Sequence, residues 1–95
     1  MKPRRVAVRF EGHVQGVGFR YTAVHIAQQH AIRGFVRNEF DGTVELVAEG
    51  LEPEINDFLA ALRASHLGRF ITRESTNWTE ASGEFRSFSI RRDAG

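Results

Sequence analysis

The sequence predicts an α+β sandwich, with two helices packed on one face of an antiparallel sheet and elements in the order β-α-β-β-α-β. Two stretches, residues 5–11 and 43–49, alternate apolar and polar side chains, which is the period of a half-buried strand. Two others place apolar residues at helical spacing: Phe19, Ala23, Ile26 and Ala27, then Ile55, Phe58, Leu59 and Leu62. A chain of 95 residues has the length for one two-layer core and not for a second, so residues 1–95 are read as a single domain.

In the first strand Val6, Val8 and Phe10 share the inner face, and Arg5, Ala7, Arg9 and Glu11 share the other. A glycine-rich turn follows. The first helix is expected over residues 19–30, with Tyr21 and Val24 flanking its apolar face and Gln28, Gln29 and His30 closing it. Residues 32–38 read as the second strand. Asp41-Gly42 is a hairpin signal, because both residue types tolerate positive φ. In the return strand Val44, Leu46 and Ala48 point inward, and Thr43, Glu45 and Glu49 outward. Pro53 suits the first turn of the second helix, and Glu52, Glu54 and Asp57 complement the positive end of its dipole. That helix ends between Ser65 and Gly68. Residues 70–79, which hold Trp78, and residues 85–92, with Phe88 and Ile90 inward, read as a fourth strand in two pieces around a turn at 81–84. Residues 93–95 read as a loose tail, and Arg91, Arg92 and Asp93 as a solvated end. The order is the ferredoxin-like split βαβ arrangement. It hosts many unrelated activities, so function has to be argued from a site.

Composition narrows the classes. The chain has 41% hydrophobic and 26% charged residues, ordinary for a globular protein. Lys+Arg number 13 and Asp+Glu 12, a balance that argues against a nucleic-acid coat or a membrane-surface helix. Without cysteine there is no disulfide, thiolate nucleophile or cysteine metal site, which fits a cytoplasmic protein. No apolar run approaches a membrane span, and Met1-Lys2-Pro3-Arg4-Arg5 leads straight into a strand, unlike a signal peptide. His13, His25, His30 and His66 show no ligand spacing with acids, so neither metal nor cofactor is expected. His25 and His30 read as surface residues of the first helix, and His13 as a solvated loop residue.

The chemistry points to Gly12-His13-Val14-Gln15-Gly16-Val17-Gly18-Phe19-Arg20, which joins the first strand to the first helix. Such a turn aims several backbone N–H groups at one point, and the helix start adds positive partial charge there. The natural guest is an anion, most often a phosphate. Arg20 adds a permanent charge and a planar fork for two phosphate oxygens. Asn38, where the second strand enters the hairpin, could face that anion. Its amide can hold a water toward phosphorus, but it is a poor base, so its role would be orientation. Taken singly, Arg20 would read as a surface ion-pair partner and Asn38 as a turn residue.

Together, the glycine loop ending in Arg20 and the segment Gly34-Phe35-Val36-Arg37-Asn38-Glu39-Phe40-Asp41-Gly42-Thr43-Val44-Glu45 resemble the acylphosphatase family, in content, order and spacing. The resemblance runs from the first strand to the last, most weakly over residues 69–84. It departs from the common pattern at Gly18, where many members carry an aromatic, and at Phe35, where many carry tryptophan. It implies hydrolysis of the carboxyl–phosphate bond of small acyl phosphates. Gln15, Gly16, Val17, Gly18 and Phe19 would form the backbone cradle, Arg20 would bind the phosphate, and Asn38 would position the attacking water. Inorganic phosphate, the product, would act as competitor. Near-neutral charge fits a monomer without nucleic-acid or membrane partners.

Two other readings stay open at this stage. A non-catalytic phosphate or acyl-phosphate binding module would need Arg20 but not Asn38. An RNA-binding ferredoxin-like domain would need base-stacking aromatics on the open sheet face, where the first and third strands instead offer Arg5, Ala7, Arg9, Thr43, Glu45, Val47 and Glu49. The loop also resembles the acylphosphatase-like domain at the start of a larger carbamoyl-transfer maturation protein. The 95-residue length favours a free-standing enzyme.

Overall fold

The structure, a computed structural model, describes residues 1–93. Ala94 and Gly95, part of the expected tail, lie outside the described residues. The elements are β1 (Arg4–Gly12), α1 (Phe19–Ala27), β2 (Ile32–Asn38), β3 (Val44–Gly50), α2 (Glu52–Ala64), a short 3-10 helix (His66–Phe70), β4 (Ile71–Glu80) and β5 (Phe88–Ile90). The five strands form one sheet in the order β4-β1-β3-β2-β5. The pairs β1·β3, β1·β4 and β2·β3 are antiparallel.

The expected inward faces of β1 and β3 are buried, and in β3 Val47 and Glu49 of the other face are buried as well. Val6, Val8, Phe10, Val44, Leu46 and Ala48 are all fully buried, and with Ile32 and Val36 of β2 they make the sheet side of the core. The helices supply Phe19, Ala23 and Ala27 from α1 and Ile55, Phe58, Leu59 and Leu62 from α2. Phe10 meets Phe19 with ring centroids 5.0 Å apart, and Phe58 meets Phe88 edge-on at 5.4 Å. Tyr21 does not flank this core. It is 72% exposed, because at about 100° per residue it stands on the far side of α1 from Phe19. The helix also stops earlier than its pattern implies. The N–H groups of Gln29 and His30 bond to the carbonyls of Ile26 and Ala27, a tightened last turn that leads into β2. His30 is half-buried there, its ring against Phe58 at 6.0 Å.

The end of the chain departs most from expectation. Residues 70–79 and 85–92 are not two pieces of one strand: β4 and β5 lie on opposite edges of the sheet, and β5 pairs with β2 in parallel, so the sheet is mixed rather than antiparallel. Residues 81–87 must therefore cross the face away from the helices. Four strand spacings are about 19 Å, within the roughly 23–25 Å reach of seven residues, and the strand that follows is three residues long. The crossing covers one end of the supposedly open face. Phe85 packs against Phe35 with tilted rings, centroids 5.8 Å apart, and Phe35, Val47 and Glu49 are all buried. Arg91, Arg92 and Asp93 are exposed, as expected of a solvated end, and the guanidinium of Arg91 lies over the Phe35 ring at 4.0 Å.

Glu49, expected outward on the return strand, fastens this crossing and is only 6% exposed. Its carboxylate accepts hydrogen bonds from Arg5 Nε (2.6 Å), Ser82 N (2.8 Å), Ser82 Oγ (3.0 Å) and Gly83 N (3.0 Å). Arg5 also pairs with Glu84. Burial pushes the Glu49 carboxyl up, but the Ser82 N–H, Arg5 and the Gly83 N–H outweigh it and hold the group below the usual carboxylate range. A carboxyl held below its unfolded value contributes stability above that value and loses it as pH falls. Glu49→Gln is therefore expected to cost about 1–3 kcal/mol at neutral pH. In urea titrations the gap between wild type and variant should shrink as the pH is lowered toward about 3. A gap that does not change with pH would contradict this account.

Candidate functional site

The loop between β1 and α1 is built by clamping its ends and leaving its middle without internal bonds. At its start β1 shifts register against β4 between Glu11 and Gly12, and Gly12 adopts φ 126°. A Cβ at Gly12 would lie 2.1 Å from the Phe70 carbonyl oxygen, so only glycine lets the 3-10 helix approach this closely. The next residue bonds to the same carbonyl, His13 N to Phe70 O at 3.0 Å, while the His13 side chain stays exposed as expected. Val14 is fully buried, Val17 packs against the core and Phe19 is 2% exposed. His66 of the 3-10 helix reaches the Val17 carbonyl at 3.4 Å. Gly16 and Gly18 stand at φ 80° and 78°, and Gly18 serves as the N-cap residue of α1.

Between these anchors, no carbonyl or side chain among the described residues accepts a hydrogen bond from the N–H groups of residues 14–21. The first helical bond runs from Thr22 N to Gly18 O, at 3.0 Å. Gln15, Gly16, Val17, Gly18 and Phe19 thus offer consecutive donors at a helix N-terminus, and Arg20 occupies the second position of the helix. Arg20 is half-buried, and its Nη1 lies 3.3 Å from Oδ1 of the exposed Asp93, a surface ion pair.

Asn38 is the last residue of β2. It pairs with Val44, which pairs with Phe10 across β3, so Asn38 lies in the sheet row two residues before Gly12. The sheet order thus places β3 between β1 and β2, yet both strands run the same way and end at the same edge. Asn38 shares the helix-side face with Val36 and is 8% exposed. Its hairpin is closed by Glu39 N to Thr43 O (2.9 Å) and Gly42 N to Glu39 O (3.1 Å), with Gly42 at φ 92° and Asp41 in ordinary backbone. The Asp41 carboxyl accepts from the Thr43 hydroxyl (2.6 Å) and the Thr43 N–H (3.0 Å), which hold it below its usual range. Beneath the turn, Arg9 and Arg37 each approach the Glu39 carboxylate at 3.4 Å, and Arg37 pairs with Glu45 at 2.7 Å. Phe40, at the tip, is 78% exposed rather than packed on the sheet.

The link between loop and hairpin is the Gln15 side chain. Its Nε2 donates to the carbonyls of Glu39 (2.7 Å) and Thr43 (2.8 Å). Sequence reasoning used only the backbone of Gln15, and it also missed the 3-10 helix as the second clamp. Both links end on main-chain carbonyls, which every residue has, so no side-chain pattern announces them. A cleft of about 920 Å³ opens between Pro3, Arg33, Ser82 and Phe85 at the starts of β1 and β2, the opposite end of the sheet. A phosphoryl group gripped by main-chain donors needs a shallow cradle and not a deep cavity, so the loop is the better candidate.

The acylphosphatase family model matches residues 6–90, nearly the whole described chain. The chain belongs to the acylphosphatase family. The acylphosphatase of Bacillus licheniformis is 41% identical over 80 residues, covering 84% of this chain and 89% of that protein. The crystal structure of acylphosphatase from Bacillus subtilis superposes with a TM-score of 0.83 at 31% identity, over 93% of this chain and 98% of that one. Full-length HypF, solved in a phosphate- and nucleotide-bound form, gives a TM-score of 0.86 at 27% identity. The match covers 99% of this chain and 13% of that protein. In this acylphosphatase-family chain the clamp at Gly12 sets the loop, and Gly12→Ala is expected to cost about 3 kcal/mol or more, since it combines a backbone clash with positive φ. Gly16→Ala, at positive φ but with open space, should cost about 1–2 kcal/mol. Denaturant midpoints for the two variants check the contrast; equal losses would contradict it.

Proposed function

We propose that the chain hydrolyses the carboxyl–phosphate bond of small acyl phosphates, releasing carboxylate and inorganic phosphate. The observation that carries this is the run of unbonded N–H groups ending at Arg20, fastened through Gln15 to the hairpin that presents Asn38. The N–H groups of residues 15–19 and the Arg20 guanidinium take the phosphoryl oxygens, and the phosphate competes with Asp93 for Arg20. The side-chain amide of Asn38 holds a water toward phosphorus. Water oxygen bonds to phosphorus as the bond from phosphorus to the acyl oxygen breaks. The carboxylate leaves with that electron pair, and the water proton passes to a phosphoryl oxygen. An acyl phosphate is an activated mixed anhydride whose leaving group needs no proton, so positioning and charge stabilisation supply the catalysis. No metal or cofactor has a role in this scheme.

The reading extends to a monomeric, cytoplasmic enzyme made of one domain, with inorganic phosphate as competitive inhibitor. No helix among the described residues is long and apolar enough to cross a membrane. An RNA-binding role finds little support: the crossing segment buries Phe35, and Arg–Glu pairs occupy much of the remaining face. Steady-state hydrolysis of benzoyl phosphate in EDTA tests the proposal. Arg20→Gln is expected to lose about 10³-fold or more in kcat/KM. Asn38→Ala should lower kcat and leave KM and the phosphate inhibition constant close to wild type. Phosphate binding without turnover in the wild type would leave a binding module instead.

A further inference from the structure

We infer that Gln15 is a positioning residue that fixes the distance between the bound phosphorus and the attacking water. The inference rests on the roles proposed above for the loop and for Asn38, and it gives the Gln15 side chain a task separate from its backbone. Both hydrogens of its amide nitrogen are used, one on each arm of the hairpin: Glu39 O at 2.7 Å on the β2 side and Thr43 O at 2.8 Å on the β3 side. Glu39 directly follows Asn38, and the Glu39 and Thr43 main chains are bonded to each other at 2.9 Å. The amide therefore grips the peptide next to the water-holding residue while its own backbone heads the phosphate cradle.

Other contacts of the loop do not do this. Gly12, His13 and His66 tie it to the 3-10 helix, and Val14 and Phe19 tie it to the core. Each of these holds the cradle in shape without reaching the hairpin. Removing the Gln15 donors leaves the cradle and Arg20 intact and frees the hairpin to shift against them. In-line attack is sensitive to such a shift, and about 1 Å of misplacement can cost about 100-fold in rate. The loss should fall on kcat and spare phosphate binding, a split that a purely structural role would not give.

Gln15→Met keeps length and packing and removes both donors, and Gln15→Ala serves as the second variant. Benzoyl phosphate turnover and the inhibition constant for inorganic phosphate are measured for both beside wild type and Asn38→Ala. The expected result is a kcat about 30- to 100-fold lower in Gln15→Met with the phosphate constant within about threefold of wild type. If Asn38→Ala lowers kcat but Gln15→Met and Gln15→Ala keep it, or lose kcat and phosphate affinity in equal proportion, Gln15 does not position the water. If Asn38→Ala itself keeps wild-type kcat, the water-orienting role fails first, whatever Gln15 does.

Discussion

A run of peptide N–H groups must be kept from bonding to its own chain. That constraint organises this protein. Main-chain donors normally find carbonyls within the fold, and leaving several open costs free energy unless water or a ligand meets them. Here the loop before α1 is pinned at every point except those donors. Gly12 packs onto the Phe70 carbonyl, Val14 and Phe19 are sunk in the core, and Gln15 is fastened to the hairpin. The glycines at 16 and 18 turn the backbone without shielding it. The loop is held by its surroundings and not by bonds within itself.

The rest of the architecture serves that geometry. β1 and β2 run in the same direction on either side of β3, so the loop that leaves β1 and the asparagine that ends β2 share one edge of the sheet. The row Phe10–Val44–Asn38 carries this relation across three strands. At the other edge, Glu49, Arg5 and the crossing segment hold β5 against β2, which delivers Asp93 to Arg20. The buried carboxylate and its partners sit at the end of the sheet away from the loop, and the open donors at the other end.

Much of this was legible in the sequence, for identifiable reasons. Alternation in β1 and β3 and the spacing of Ile55, Phe58, Leu59 and Leu62 report local geometry, and local geometry is written in adjacent residues. Arg20 and Asn38 stood out because a guanidinium and a carboxamide near a glycine-rich turn suggest phosphate chemistry by residue type alone. What escaped depends on distant parts of the chain. Glu49 reads as an outward residue until residues 82 and 83 fold over it. The last strand lies on the far edge of the sheet from β4, a placement that adjacent residues do not report. Tyr21 looks like a core aromatic but is exposed, since it does not face the layer between sheet and helices. Gln15 hides its second role because its partners, 24 and 28 residues away, are bare carbonyls.

The most direct test of the account is an amide-resolved NMR titration of the protein with inorganic phosphate. The open-donor loop predicts that the N–H resonances of residues 15–20 move furthest, saturate together, and give a dissociation constant equal to the constant for competitive inhibition of acyl phosphate hydrolysis. The amides around the cleft at the opposite end of the sheet should stay in place. Shifts centred on that cleft, or scattered over the surface without saturation, would contradict the claim that this loop is the phosphate cradle.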